Sequence, residues 1–182
     1  MEQIRRLHRN AVSSADAVPQ AMELVDARLS ARPGDPVLQV YKGSLLALKA
    51  RAASLPWNKL SHLNQGIRWM DQAAGAVAAG GAADGLPPDL EIMPDLEIMM
   101  VRGITCAMIP ASYGHGRTAR QDLQRVLDHP AFAGLEPADR ALALSWLAVV
   151  LHREGEQAAA DGLYGKACVA DARIAENAWF QR

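Results

Sequence analysis

The spacing of apolar residues predicts helices along most of the chain. The clearest segment is 141–172, where apolar residues follow the i, i+3, i+4, i+7 spacing of one helix face at Leu144, Leu147, Ala148 and Leu151. Gly155 then interrupts the pattern, and a second helical pattern follows it. Because no stretch alternates apolar and polar residues as a half-buried strand does, the sequence predicts an all-α fold of about seven or eight helices.

Weaker copies of the same two-helix pattern lie upstream. Asp35 followed by Pro36 is typical of a helix start, and Gly43 and Gly103 are predicted where two helices cross closely. Each pair leaves an apolar face that a neighbouring pair can cover. We therefore predict a single domain over 1–182, built from a helix at 15–32 and helix pairs at 35–79, 95–128 and 137–176.

An insertion at 80–94 breaks this regular period. It is rich in glycine and proline, which favour a surface excursion over a packed helix. The six residues PDLEIM occur twice in tandem, at 88–93 and 94–99. We interpret the repeat as a local duplication that lengthened a loop or a helix start, not as a site.

The last predicted pair resembles a tetratricopeptide repeat. The residues at that family's spacing are Leu147, Ala148, Gly155, Ala160, Tyr164 and Ala167. The match departs from the family at Leu144 and Leu151, where Trp and Tyr are usual, and at Ala172, where Pro is usual. Segments 41–51 and 56–60 are also similar to a family of small bacterial helical-repeat proteins. The resemblance implies antiparallel helix-turn-helix repeats in a tetratricopeptide-like α-solenoid.

The resemblance also implies a binding groove, because the first helices of such repeats line a concave surface that holds a partner segment. Carrying the register over gives Val37, Val40, Ser44, Glu97, Met100, Ile104, Met108, Ser145, Val149, His152 and Arg153. This set is mostly apolar and suits a hydrophobic peptide better than an acidic tail. The leading hypothesis is a non-catalytic scaffold, adaptor or chaperone-like protein that binds a protein or peptide segment.

A glycine-rich turn at 110–118 supplies a second hypothesis, in which the chain is an accessory protein that binds a small molecule or an anion at this loop. His115, Gly116, Arg117 and Thr118 stand at a predicted helix start, where free N–H groups attract anions, and Arg102 or Arg120 would add charge. The simpler reading is a turn with positive φ at Gly114 and Gly116, followed by a helix that Thr118 caps.

Charge and composition narrow the classes of partner. The chain has 19 basic and 20 acidic residues, so it lacks the basic excess of a nucleic-acid-binding protein. The densest basic run, with Arg5, Arg6, His8 and Arg9, is interpreted as a solvated first helix. Residues 1–18 lack the apolar core of a leader, and the longest apolar run, 141–151, is about half of the ~20 residues that span a bilayer. The chain has only two cysteines, Cys106 and Cys168, which is typical of proteins in a reducing compartment. We therefore expect a cytoplasmic location away from membranes.

Catalytic and metal-binding patterns are missing from the sequence. No two of the five histidines have zinc-binding spacing, and no nucleophile motif occurs. Sulfur-containing side chains that could bind copper cluster near the middle of the chain, at Met93, Met99, Met100, Cys106 and Met108. We interpret them as part of a groove or core instead. We therefore predict no enzymatic activity, no cofactor and no metal.

The tryptophans suggest where apolar surface lies. Trp146 is predicted in the core, and Trp57 opens a helix just after a proline. Trp179 and Phe180 near the C-terminus either cover the last repeat or contact a second subunit. The latter gives the third hypothesis, a structural homo-oligomer such as a dimer formed through the C-terminal helices.

Overall fold

The computed structural model describes residues 1–79 and 93–176, and most of these residues are helical. They form eight α-helices and four short 3-10 helices, with no strand among them. The predicted all-α class and helix count are confirmed. By its internal contacts the chain divides into two compact units, 1–101 and 102–182, which are described separately.

The first unit contains four complete helices and the start of a fifth. They are α1 (Glu2–Ser13), α2 (Val18–Ala31), α3 (Pro36–Ala52), α4 (Pro56–Ala78) and the part of α5 (Pro94–Met108) that precedes Arg102. Helix α2 falls within the predicted 15–32, and α3 and α4 within the predicted pair 35–79. Residues 80–92 of the insertion, which include the first PDLEIM copy except Met93, lie outside the described residues; the second copy begins α5.

Helix α3 begins where the sequence predicts. The Asp35 side chain accepts hydrogen bonds from the backbone N–H groups of Val37 and Leu38, at 3.0 and 3.1 Å, and Pro36 fills the first helical position. Twelve of the 17 residues of α3 are buried, so this helix is the centre of the first unit and not an amphipathic surface helix.

Helices α3 and α4 approach so closely that their backbones are nearly in contact. A Cβ atom added to Gly43 would lie 2.6 Å from the carbonyl oxygen of Gly66, and one added to Gly66 would lie 2.6 Å from the carbonyl oxygen of Gly43. Real Cβ atoms do not approach oxygen so closely. Glycine is therefore required at both positions, and the predicted close crossing at Gly43 is confirmed.

Helix α1 corrects the interpretation of the N-terminal basic run. Ile4, Leu7 and Ala11 are buried, as expected of one helix face, but Arg5 is buried with them. Arg6 and Arg9 are exposed. The prediction that this basic run is solvated is therefore wrong for Arg5. Its guanidinium group can be buried because a buried carboxylate accepts its hydrogen bonds, as described below.

The second unit contains the rest of α5 and three further helices: α6 (Gly116–Asp128), α7 (Pro137–Arg153) and α8 (Gln157–Ala170). Ten of the 17 residues of α7 are buried, Trp146 among them as predicted. Ala160 and Ala167 of α8 are buried, whereas Tyr164 is half-buried. Trp179 and Phe180 lie outside the described residues.

The turn before α6 differs in part from the prediction. Gly114 has a φ of +79°, as expected, but Gly116 is already helical and does not share this conformation. Thr118 is not the cap, because helix α6 begins two residues earlier. His115 lies at the cap position, but its side chain makes no capping hydrogen bond. Gly155 has a φ of +86°, which explains the glycine between α7 and α8.

Candidate functional site

The predicted groove residues lie mostly in the interior of the chain. Seven of the eleven are buried, namely Val37, Val40, Ser44, Glu97, Ile104, Ser145 and Val149. Such side chains present little surface to a partner, and the groove itself stays a prediction. Helices α3 and α7 are apolar nearly all round, so helix position alone does not say which face is open. The groove residues that keep some exposure are Met100, Met108, His152 and Arg153.

A buried polar network joins three helices of the first unit. Arg5 on α1 donates two hydrogen bonds to the carboxylate of Glu97 on α5, from Nε to Oε1 and from Nη2 to Oε2, each at 2.9 Å. The Tyr41 hydroxyl on α3 donates to Glu97 Oε1 at 2.7 Å. The three hydrogen bonds satisfy a carboxylate that is only 3% exposed, which a buried charge requires.

His8 extends this network along α1. Its Nε2 atom lies 2.7 Å from Ser44 Oγ on α3, and its ring meets the Tyr41 ring edge to face at 5.0 Å between centroids. Burial, together with the nearby Arg9 cation, lowers the pKa of His8 to about 4. Burial and the Glu97 carboxylate raise the pKa of Tyr41 well above its usual value. Both rings are therefore neutral at pH 7.

The network is better suited to holding helices together than to catalysis. Glu97 is held by Arg5 and Tyr41 and is almost fully withdrawn from solvent, and the hydrogen bond to Glu97 raises the pKa of Arg5 further above its usual value. A proton-transfer group needs access to a substrate and a pKa near the working pH. None of the side chains of Arg5, Tyr41 and Glu97 meets both requirements. The network is therefore interpreted as a structural link between helices.

The neutral state of His8 predicts that the first unit loses stability in mild acid. An unfolded histidine binds its proton near pH 6.5, whereas folded His8 does so only near pH 4, so the unfolded chain takes up the extra proton in between. The stabilisation is complete above pH 6.5 and is lost as the pH falls towards 4. We expect a loss of up to about 2 kcal/mol between pH 7 and pH 5, reduced by the partial exposure of the residue.

Urea unfolding at several pH values measures this loss. His8→Phe keeps a ring against Tyr41 but removes the titrating group, so its free energy of unfolding should change less over the same pH range. The difference between the two proteins isolates His8 from the other histidines. Identical pH profiles would show that His8 does not contribute.

The basic neighbours suggested for the predicted anion site at the start of α6 are paired with carboxylates, and the site itself stays a prediction. Arg102 donates to both carboxylate oxygens of Asp122, at 2.6 and 2.8 Å, and Asp122 is 1% exposed. Arg120 is paired with Glu154 and Glu156. The candidate residues themselves carry one exposed cation, Arg117, with His115, Gly116 and Thr118 half-buried. Two of the expected cations are thus committed to carboxylates of the chain itself.

An exposed apolar surface lies at the start of α4. Leu55, Trp57 and Leu60 are 44%, 66% and 49% exposed, and every residue from 54 to 61 is exposed. Trp57 and Leu60 are three residues apart in the helix and so share one side of it. We refer to Leu55, Trp57 and Leu60 as the α4 surface. The sequence places Trp57 at a helix start but does not show that it belongs to an exposed surface.

Other features of the described residues add no chemical site. In residues 1–79 and 93–176 no three His, Cys, Asp or Glu side chains are grouped to hold a metal ion. Cys106 is buried and Cys168 half-buried, and they form no disulfide with each other. Within the same residues, no helix combines the length and the apolar character needed to cross a membrane.

Comparison of the chain with family models, curated proteins and solved structures finds no match. Two features of the chain itself bear on its function. The buried network of Arg5, Tyr41 and Glu97 unites helices of the first unit, and the α4 surface places three large apolar side chains of that unit in water.

Proposed function

We propose that this chain is a non-catalytic protein-binding scaffold and that it holds a partner segment at the α4 surface. The observation that carries the proposal is the exposure of Trp57, 66%, beside two exposed leucines. Trp is the side chain most enriched at the energetic centres of protein interfaces. Covering it removes apolar area that costs free energy in water, at roughly 25 cal/mol per Å².

The rest of the first unit supports a scaffold role. Backbone contact at Gly43 and Gly66 and the bidentate pairing of Arg5 with Glu97 both fix helices in one arrangement. A rigid support lowers the entropic cost of binding, because the binding side chains are already in place. The α4 surface thus lies on a helix whose later turns are firmly packed.

The proposal includes a tetratricopeptide-like repeat arrangement. Small residues support it where that family has them: Gly43 and Gly66 at one crossing, and Gly103, whose added Cβ would lie 3.0 Å from the Leu123 side chain, at another. Ala160 and Ala167 of the best-matched segment are buried as well. The binding surface proposed here differs from that family's groove, since the corresponding residues of this chain are mostly buried.

Trp57→Ser is expected to weaken binding strongly without unfolding the protein. The change removes the largest side chain of the α4 surface, so we expect affinity for a selected peptide to fall by at least about tenfold. Because Trp57 is mostly exposed, the free energy of unfolding should change by no more than about 0.5 kcal/mol. Short peptides selected from a random display library on the intact chain supply the ligand, and fluorescence polarisation measures its affinity.

The matched control is Val169→Ser in α8. Val169 is 89% exposed, so the change also removes an exposed apolar side chain, but from the second unit. We expect the Val169→Ser protein to bind like the unaltered chain. Equal binding by the Trp57→Ser protein, or failure to select any peptide, would contradict the proposed function.

A further inference from the structure

We draw no further inference here: the strongest candidate, the exposed face of α8 formed by Ala158, Gly162, Gly165 and Val169, is a stripe of small residues, and nothing in residues 1–79 and 93–176 shows what covers it.

Discussion

Replacing Gly43 by valine is expected to destabilise the first unit by about 3 kcal/mol or more. The new Cβ would lie 2.6 Å from the carbonyl oxygen of Gly66, and that oxygen belongs to the backbone of α4. A crowded side chain can rotate away, but a helix backbone can only move as a whole. The two helices would have to separate, and apolar contacts along both would be lost. Urea unfolding followed by circular dichroism measures the loss.

Gly75→Ala in α4 is the matched control. It also adds a Cβ to a helical glycine, but nothing lies within 4 Å of that position. Alanine is the better helix former, so we expect stability to rise by up to about 1 kcal/mol. If Gly43→Val and Gly75→Ala had similar effects, the close crossing of α3 and α4 would not exist in solution.

Replacing Glu97 by alanine is expected to cost about 3–5 kcal/mol. The change leaves the Arg5 guanidinium buried without its carboxylate and removes the acceptor of the Tyr41 hydroxyl. An unpaired buried cation is costly because neither water nor a counter-charge offsets its desolvation. Denaturant unfolding of the variant gives the free energy directly.

Two further variants make the result specific. Asp26→Ala breaks the exposed pair with Lys42 in the same unit and should cost no more than about 1 kcal/mol. The combined replacement of Arg5, Tyr41 and Glu97 by Met, Phe and Leu removes the whole network and should recover most of the lost stability. A cost for Glu97→Ala as small as that for Asp26→Ala would mean that the network is not formed.

Local features of the fold were predictable because they depend on neighbouring residues. Apolar spacing places α7 and α8, and Asp35 with Pro36 marks the start of α3. Gly43 was predicted at a close crossing because a small residue is needed where helices meet. For the apolar spacing and the helix start, the physical cause lies within a few residues of its effect, whereas Gly43 follows from the repeat spacing and meets Gly66 on the next helix.

Features that depend on distant residues were not predictable. Arg5 and Glu97 are 92 residues apart, and nothing in the basic N-terminal run shows that one of its cations is buried. Likewise, the apolar spacing of α4 does not reveal that its start is uncovered. Trp57 is exposed together with every residue from 54 to 61, whereas Leu63 and Met70 of the same helix are buried.

We propose that the protein binds its partner at the start of α4, and this contact can be mapped directly. Nuclear magnetic resonance of the isotope-labelled chain, with and without a selected peptide, maps the contact residue by residue. We predict the largest chemical-shift changes at Leu55, Trp57 and Leu60. Changes centred instead on the partly exposed groove residues, Met100, Met108, His152 and Arg153, would contradict the claim.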